Sequence, residues 1–434
     1  MKIEVLKNKR ILILGMGREG KAVFEFLRKS FPKKTLGIGD REKKIKNQIS
    51  GIKNVNCHLG SNYLKALERY DVIIKSPGIP IHLPEIEKAF RMGKITSQTD
   101  IFLENYPGKV IGITGTKGKS TTATLIYRIL KEAGFRVHLG GNIGKPAISF
   151  LKRGKKDDVF VYELSCHQLY NLKKSPEIAI LLNVYPEHLD YYRDFKEYVK
   201  AKSNITRWQG KNDILIYNPK DRIVREIAKK SRAQRIKIEP EKYSDILKNI
   251  RIKFVPEVNS AAAIETARLF GISREVVKKA VKKFKTLPHR LEFVGEFRGI
   301  KFYNDSLSTI PEATIFALNQ LKDKVETLIL GGQDRQVDFE ELAKRILKSQ
   351  IKNLLLFPPS GERIWREFFS SKKNNRFKAF LVQNMKDAVE LGFRYTRKGK
   401  VCLLSPASPS FGIFKDYKER GNLFKKHIKG YAEK

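Results

Sequence analysis

Short apolar runs recur along the chain at intervals long enough to hold a helix, and this alternation is what most narrows the folds open to it. Residues 10–14, 35–38, 72–74, 110–113, 159–162, 178–182 and 214–216 are such runs, and longer amphipathic segments separate them; Ala22, Val23, Phe26 and Leu27 show the helical spacing. A continuous apolar run fits a strand covered on both faces, and strands separated by helices pair in parallel through crossovers. The chain therefore reads as α/β. After a lysine-rich helical stretch at 276–285 the pattern resumes, with runs at 327–330, 354–356 and 401–404. No solenoid-period repeat or low-complexity segment interrupts it. Three consecutive α/β domains are expected, with joints near Ser97 and Thr286: residues 1–97, 98–286 and 287–434.

Length agrees, since 434 residues hold about three domains at roughly 150 each. The balance of 87 Lys+Arg against 46 Asp+Glu gives +41, a field that attracts polyanions. The excess is spread over nearly every segment, whereas a nucleic-acid footprint clusters on one face, so nucleic acid is not expected as the main partner. Cys57, Cys166 and Cys402 show no CxxC spacing, so neither a disulfide framework nor a structural zinc site is expected. The N-terminal apolar run is too short for a membrane span and lacks a small-residue cleavage site, and no later stretch approaches the ~18 apolar residues a span needs. A cytoplasmic protein without membrane insertion follows as the expectation.

Two glycine loops carry the chemistry. Gly15-Met-Gly17-Arg18-Glu19-Gly20 follows the first run and opens a helix, and Asp40 lies 20 residues past Gly20 at the next strand end. Glycines permit a tight turn and close approach of backbone amides to a diphosphate, and the acid can accept from a ribose hydroxyl. The residues alone leave three readings open: a diphosphate site of some nucleotide, an NAD site, or a tight strand-helix turn. This first domain is expected to be Rossmann-like.

The second loop, Gly112-Ile-Thr-Gly115-Thr116-Lys117-Gly118-Lys119-Ser120-Thr121, contains the Gly-Lys-Ser core of a phosphate-binding loop. The Lys119 ammonium can neutralise β/γ-phosphate charge, backbone amides can cradle the oxygens, and the Ser120 hydroxyl can complete a magnesium shell. The common first glycine is replaced by Ile113, so this is a variant loop. A triphosphate cradle argues against a plain dehydrogenase and for an ATPase-like central sheet. Glu163-Leu-Ser165 and Asn183-Val-Tyr-Pro-Glu187-His188-Leu-Asp190 follow further runs. Acids and an imidazole at adjacent strand ends suit metal ligands, though each alone is equally an N-cap or a surface residue.

In order along the chain stand TGTKGKST at 114–121, GGNIG at 140–144, ELS at 163–165, NVYPEHLD at 183–190, LPHRLE from 287, NDSLST from 304, GGQDRQVDF from 331 and SPASPSFGIFKDYKERG from 405. Over essentially the whole chain this set resembles the Mur ligases of peptidoglycan synthesis. The first glycine loop, the Ser76-Pro-Gly-Ile79 segment and the terminal SPA..SF signature most resemble the branch that adds D-glutamate to UDP-N-acetylmuramoyl-L-alanine. The resemblance implies an ATP-dependent ligase, acting as a monomer, that activates a carboxylate as an acyl phosphate and couples it to an amine through a tetrahedral intermediate. It also implies a Rossmann-like third domain that binds the incoming amino acid and closes over ATP.

By the same resemblance, Gly115, Thr116, Lys117, Gly118, Lys119, Ser120 and Thr121 hold ATP. Asn259 and Asp305 contact adenine and ribose, and His289 and Arg290 reach over the phosphates. Ser120 and Glu163 are matched to a first magnesium and His188 and Lys202 to a second, with Lys202 carbamylated, since an ammonium cannot ligate a dication. On spacing alone Lys202 is one surface lysine among many. Lys119, His188, Lys202 and Arg290 are the matched catalytic set. Gly15, Gly17, Arg18, Glu19, Asp40, Ser76, Asn142, Ser165 and Gln168 fall at positions for the UDP-substrate, and no NAD is needed. Thr309, Arg335, Ser410, Phe411 and Tyr417 fall at acceptor positions, where a guanidinium such as Arg335 can fork onto a side-chain carboxylate; Ser410 and Phe411 also read as loop and core.

Departures from the family pattern are Leu307 in place of the NDSK lysine, Val255-Pro256 before Asn259, and Cys166-His167 in place of Ser-Phe. The alternatives are the same ligation with L-glutamate or lysine as acceptor, and a catalytically dead nucleotide-binding relative.

Overall fold

The computed structural model describes residues 1–188, 191–249, 255–284, 287–369 and 376–433. Thr286, at the second expected joint, and Leu189 and Asp190 of the NVYPEHLD motif lie outside the described residues. The chain divides into two compact units, Met1–Phe284 and Lys285–Lys434.

The first unit carries two parallel sheets. Strands β1 (Ile11–Leu14), β2 (Leu36–Asp40), β3 (Val55–Leu59), β4 (Val72–Lys75) and β5 (Ile95–Thr96) lie in the order β3-β2-β1-β4-β5. The chain winds outward from β1 and then returns to its other side, so the order reverses between β1 and β4, the crevice where such sheets take ligands. The first glycine loop leaves β1 there, and Ser76 follows β4. Strands β6 (Lys109–Thr114), β7 (Val137–Gly141), β8 (Val159–Glu163), β9 (Ile178–Leu181), β10 (Ile214–Tyr217) and β11 (Gln234–Lys237) lie in the order β11-β10-β9-β6-β8-β7. This flanks the second glycine loop, leaving β6, with the ends of β8 and β9.

Burial explains this arrangement. Ile111, Ile113, Ile180 and Leu182 pack on one face against the helices Lys119–Glu132 and Glu257–Leu269. Val110, Phe160, Tyr162 and Leu181 on the opposite face join a core continuous with Ile11, Ile13, Val72 and Phe102. At about 1.5–3 kcal/mol for each fully buried large apolar side chain, that shared core is what joins the first two sheets into one unit.

The second unit holds β12 (Glu292–Phe297), β13 (Ile300–Asn304), β14 (Val325–Gly331), β15 (Asn353–Phe357), β16 (Lys378–Leu381) and β17 (Val401–Leu404), ordered β12-β13-β17-β14-β15-β16. All pair in parallel except β12, which runs antiparallel to β13. The expected α/β class with three parallel-sheet domains is thus present, with one antiparallel edge added. Among the described residues no helix is long and apolar enough to cross a membrane.

Candidate active site

The second glycine loop is braced from its own chain. Asn183, just past β9, accepts from Lys117 N at 2.8 Å through Oδ1 and donates to Lys117 O at 3.0 Å, while its carbonyl accepts from Thr116 N. Tyr198 OH and Thr116 Oγ1 share a hydrogen bond of 2.9 Å. Gly118, at φ +90°, caps the helix Lys119–Glu132, and a Cβ there would run into the Asn259 amide. Because no side chain caps this helix, its first-turn amides stay available to an anion.

Two lysines converge beneath the loop. Lys119 Nζ donates to the carbonyls of Gly115 and Thr116 at 2.8 and 2.9 Å, and Lys202 Nζ donates to Gly115 O at 3.0 Å. Burial lowers the Lys119 ammonium from its ordinary value, against the pull of Glu187 and Glu163. Burial and the Lys119 charge bring Lys202 down to about 7. Lys202 is 1 % exposed, so it is not one more solvated surface lysine.

Beside the lysines, the Glu163 carboxylate at the end of β8 accepts from Asn142 Nδ2 at 2.8 Å through Oε1, whereas its buried Oε2 has no hydrogen-bond partner. A buried acceptor left open costs stability, and a hard cation is what such an oxygen suits. Glu163 thus presents an oxygen of the kind a magnesium ion takes. His188 adopts φ +59°, a costly conformation for a non-glycine residue, and its ring lies 4.7 Å from that of His167. Glu187 accepts from Lys117 Nζ at 2.9 Å; burial pushes its carboxyl up, but Lys117 and Lys119 outweigh burial and hold it below the usual range.

At the first glycine loop the side chains are already engaged. The Asp40 carboxylate accepts from Met16 N at 2.6 Å and Glu42 N at 2.9 Å, and Ser76 Oγ donates to Gly15 O at 2.7 Å. Gly20 packs so closely on the Gly15 carbonyl that no Cβ fits there. Arg18 donates to the carbonyls of Gly141, Asn142 and Gly144 at 2.9–3.2 Å. Buried Glu19 accepts from Gln168 Nε2 at 2.6 Å, and Gln168 forms a reciprocal cap with Ser165. Gly17 caps the helix Arg18–Ser30 without a side-chain bond, so backbone amides are what this loop offers an anion.

In the second unit, buried His289 stands at φ +64° with Nδ1 3.0 Å from Asn304 Nδ2, and half-buried Arg290 follows it. Asp305 is buried, accepting from Ser308 Oγ, Ser405 Oγ and Leu291 N, and burial pushes its carboxyl up to about 6 despite those bonds. Thr309 and Tyr417 are half-buried and Arg335 is exposed. Ser410 is buried while Phe411 is 52 % exposed, so the pair is neither all core nor all open loop.

Three family models cover most of the chain: "Mur ligase MurD-like, N-terminal domain" over residues 9–96, "Mur ligase middle domain" over 113–285, and "Mur ligase, glutamate ligase domain" over 289–408. The UDP-N-acetylmuramoylalanine–D-glutamate ligase of Acetivibrio thermocellus is 34% identical over 452 residues, covering 98% of this chain and 97% of that protein. The chain belongs to the Mur ligase family. A second relative of the same description, from Clostridium acetobutylicum, is 35% identical over 457 residues, covering 98% of this chain and 97% of that protein. In fold the chain is similar to the Thermotoga maritima MurF ligase solved with ADP, at TM-score 0.59 and 18% identity, covering 99% and 98% of the two chains. As a Mur ligase it is an ATP-dependent acid–amino-acid ligase of peptidoglycan precursor synthesis.

Several residues of this Mur ligase carry little or no mark of their structural role in the sequence. Asn183 was visible in its motif, and a polar residue directly after an apolar run signals a strand end. Tyr198 and Lys75 carried no such signal; Lys75, 8 % exposed at the end of β4, is lowered to about 7 by burial. Arg420 is fully buried and donates to Ser306 O, Ser306 Oγ and Ser408 O at 2.9–3.1 Å, tying together the loops that carry Asp305 and Ser410.

Proposed function

We propose that this ligase joins D-glutamate to UDP-N-acetylmuramoyl-L-alanine, forming ADP and phosphate. The observation that carries the reading is the convergence, at the C-terminal ends of the interior strands β6 and β8, of Lys119, Lys202 and the unpartnered Glu163 Oε2. The names of the relatives, similar over nearly full length, favour this substrate pair. The γ-phosphoryl passes from ATP to the alanyl carboxylate, the glutamate amine attacks the acyl carbon, and phosphate leaves the tetrahedral intermediate. Amide formation is uphill in water, so activation by ATP is what makes it proceed.

Within that reaction, Lys119 leaves its two carbonyl partners to meet the phosphates, and the loop amides orient them. Ser120 and Glu163 would hold one magnesium and His188 and Lys202 a second, and these ions would supply positive charge for the transferring phosphoryl. Lys202 serves as its carbamate: a buried amine lowered to about 7 is available in the neutral form that reacts with carbon dioxide. The diphosphate of the UDP-substrate lies on the amides at the start of the helix Arg18–Ser30, with Asp40 and Ser76 holding the loop that presents them. Thr309, Arg335, Ser410, Phe411 and Tyr417 receive the amino acid. The reaction takes place in the cytoplasm, where its nucleotide substrates are.

Incorporation of labelled D-glutamate, L-glutamate and D-lysine into the UDP-linked product, at equal concentration, tests the acceptor. D-Glutamate is expected to exceed both, and D-lysine to be disfavoured by repulsion from Arg335. Preferred incorporation of L-glutamate would move the assignment to the other hand, the outcome that the change to Leu307 makes worth measuring.

A further inference from the structure

The residue pair that departs from the family pattern beside the phosphate loop is Cys166-His167, and its side chains do not stand alone. Cys166 Sγ, a ring nitrogen of His167 and a ring nitrogen of His188 all lie within 4.8 Å of one another. Cys166 is 3 % exposed and sits 3.6 Å from His167 Nδ1, in the first turn of the helix Cys166–Leu169 that Ser165 and Gln168 cap reciprocally. His188 arrives from the segment after β9 in the left-handed conformation that sets its ring against His167. Tyr191 packs on His167 with ring centroids 4.3 Å apart, closing one side.

We propose that Cys166, His167 and His188 form a binding site for a borderline-soft divalent cation of the zinc class. Tetrahedral zinc takes nitrogen at about 2.0 Å and sulfur at about 2.3 Å, which places neighbouring ligand atoms about 3.5 Å apart. The observed spread needs to close by only about 1 Å, within reach of side-chain rotation. Magnesium is not the ion such a set selects, because thiolate and imidazole favour softer metals while magnesium demands oxygen. Lys119 and Lys202 act electrostatically on Cys166 and favour its thiolate form, but their charge opposes any dication, so the donor set and not the surrounding field is what carries the site. On binding, the thiol releases its proton to solvent and the metal takes its place; the fourth position is left to water or an anionic ligand. The spacing of the cysteines in the sequence gives no hint of this site, because its donors come from two strand ends and only one is a cysteine.

The site shares only His188 with the proposed magnesium ligands, and it is tested on the full chain with metal alone, no nucleotide present, so its failure leaves the ligase reading standing. Chelator-treated protein is titrated with Co2+ and then challenged with Zn2+. One equivalent of cobalt with a thiolate-to-metal charge-transfer band, displaced by zinc, is expected. Cys166→Ser should abolish the band, His167→Phe should weaken binding about tenfold or more, and Cys57→Ser should leave both unchanged. Absence of the band, or its persistence in Cys166→Ser, would overturn the site. Should either variant fail to fold by circular dichroism, X-ray absorption of the zinc-loaded wild type decides: a shell with sulfur and nitrogen supports the site, an all-oxygen shell refutes it.

Discussion

The two glycine loops of the first unit share a backbone design and differ in what surrounds it. Each leaves a central strand, and each opens a helix capped by glycine without a side-chain bond. Around the first loop, Asp40, Ser76, Arg18 and Glu19 are all bonded to other parts of the chain. Around the second, a carboxylate oxygen of Glu163 is open, and two lysines rest on loop carbonyls that a phosphate ligand could relieve of them. The same fingerprint can therefore hold an anion by backbone dipole alone or by backbone plus mobile charge. The second arrangement suits a group whose charge grows during reaction, the first a group that is only held.

The sharpest way to break this contrast is Lys119→Ala. Turnover should fall about a thousandfold with the melting temperature little changed, as read by ADP formation and calorimetry; a tenfold loss or less would put the second loop on the same footing as the first. Next comes Lys202→Ala, expected to lose about a hundredfold in turnover while UDP-substrate binding persists, with acetate or formate restoring part of the rate. The sign of its pH dependence follows from the lowered pKa: the neutral amine prevails above about 7 and the ammonium returns below it. Wild-type turnover should therefore fall as pH drops through that value, and added bicarbonate should soften the fall; a profile indifferent to bicarbonate would count against the carbamate.

In the second unit, Arg335→Ala should raise the Michaelis constant for glutamate about tenfold and leave that for ATP unchanged, the size of a lost charge-assisted contact. The smallest effect is expected at the first loop itself. Burial raises the Glu19 carboxyl, despite the Gln168 hydrogen bond. A raised folded pKa means that stability present at low pH is lost as pH rises through it. Glu19→Gln, which keeps an acceptor for Gln168, should flatten that loss and change neutral-pH stability by about 1 kcal/mol or less, measured by urea unfolding from pH 4 to 8.

What the sequence disclosed follows the same division between buried and engaged groups. Interior strands β1 and β9 are apolar throughout, and β6 and β14 hold apolar stretches at 110–113 and 328–330, since both faces are covered, and these runs stand out. The runs missed the edge strands: β3 reads Val-Asn-Cys-His-Leu and β11 Gln-Arg-Ile-Lys, because an edge faces water on one side and needs no apolar run. Interior β13 was missed too, its Ile-Lys-Phe-Tyr-Asn alternating as a half-covered strand does. In the site, motif-bearing residues such as Lys119, Glu163 and Asn183 were legible from their place after an apolar run. Arg420 was not, since one buried arginine in a chain with 87 basic residues carries no mark of its burial. Nor was the meeting of Cys166 and His167 with His188, which only the parallel order of β8, β6 and β9 brings about.

If the second loop drives a ligation that needs both partners, ADP formation under single omissions measures this directly. With magnesium, ATP, UDP-N-acetylmuramoyl-L-alanine and D-glutamate together, ADP should form steadily, and withdrawal of any one should bring it to background. ADP released at an equal rate without the muramoyl substrate would contradict a ligation that couples ATP to both partners.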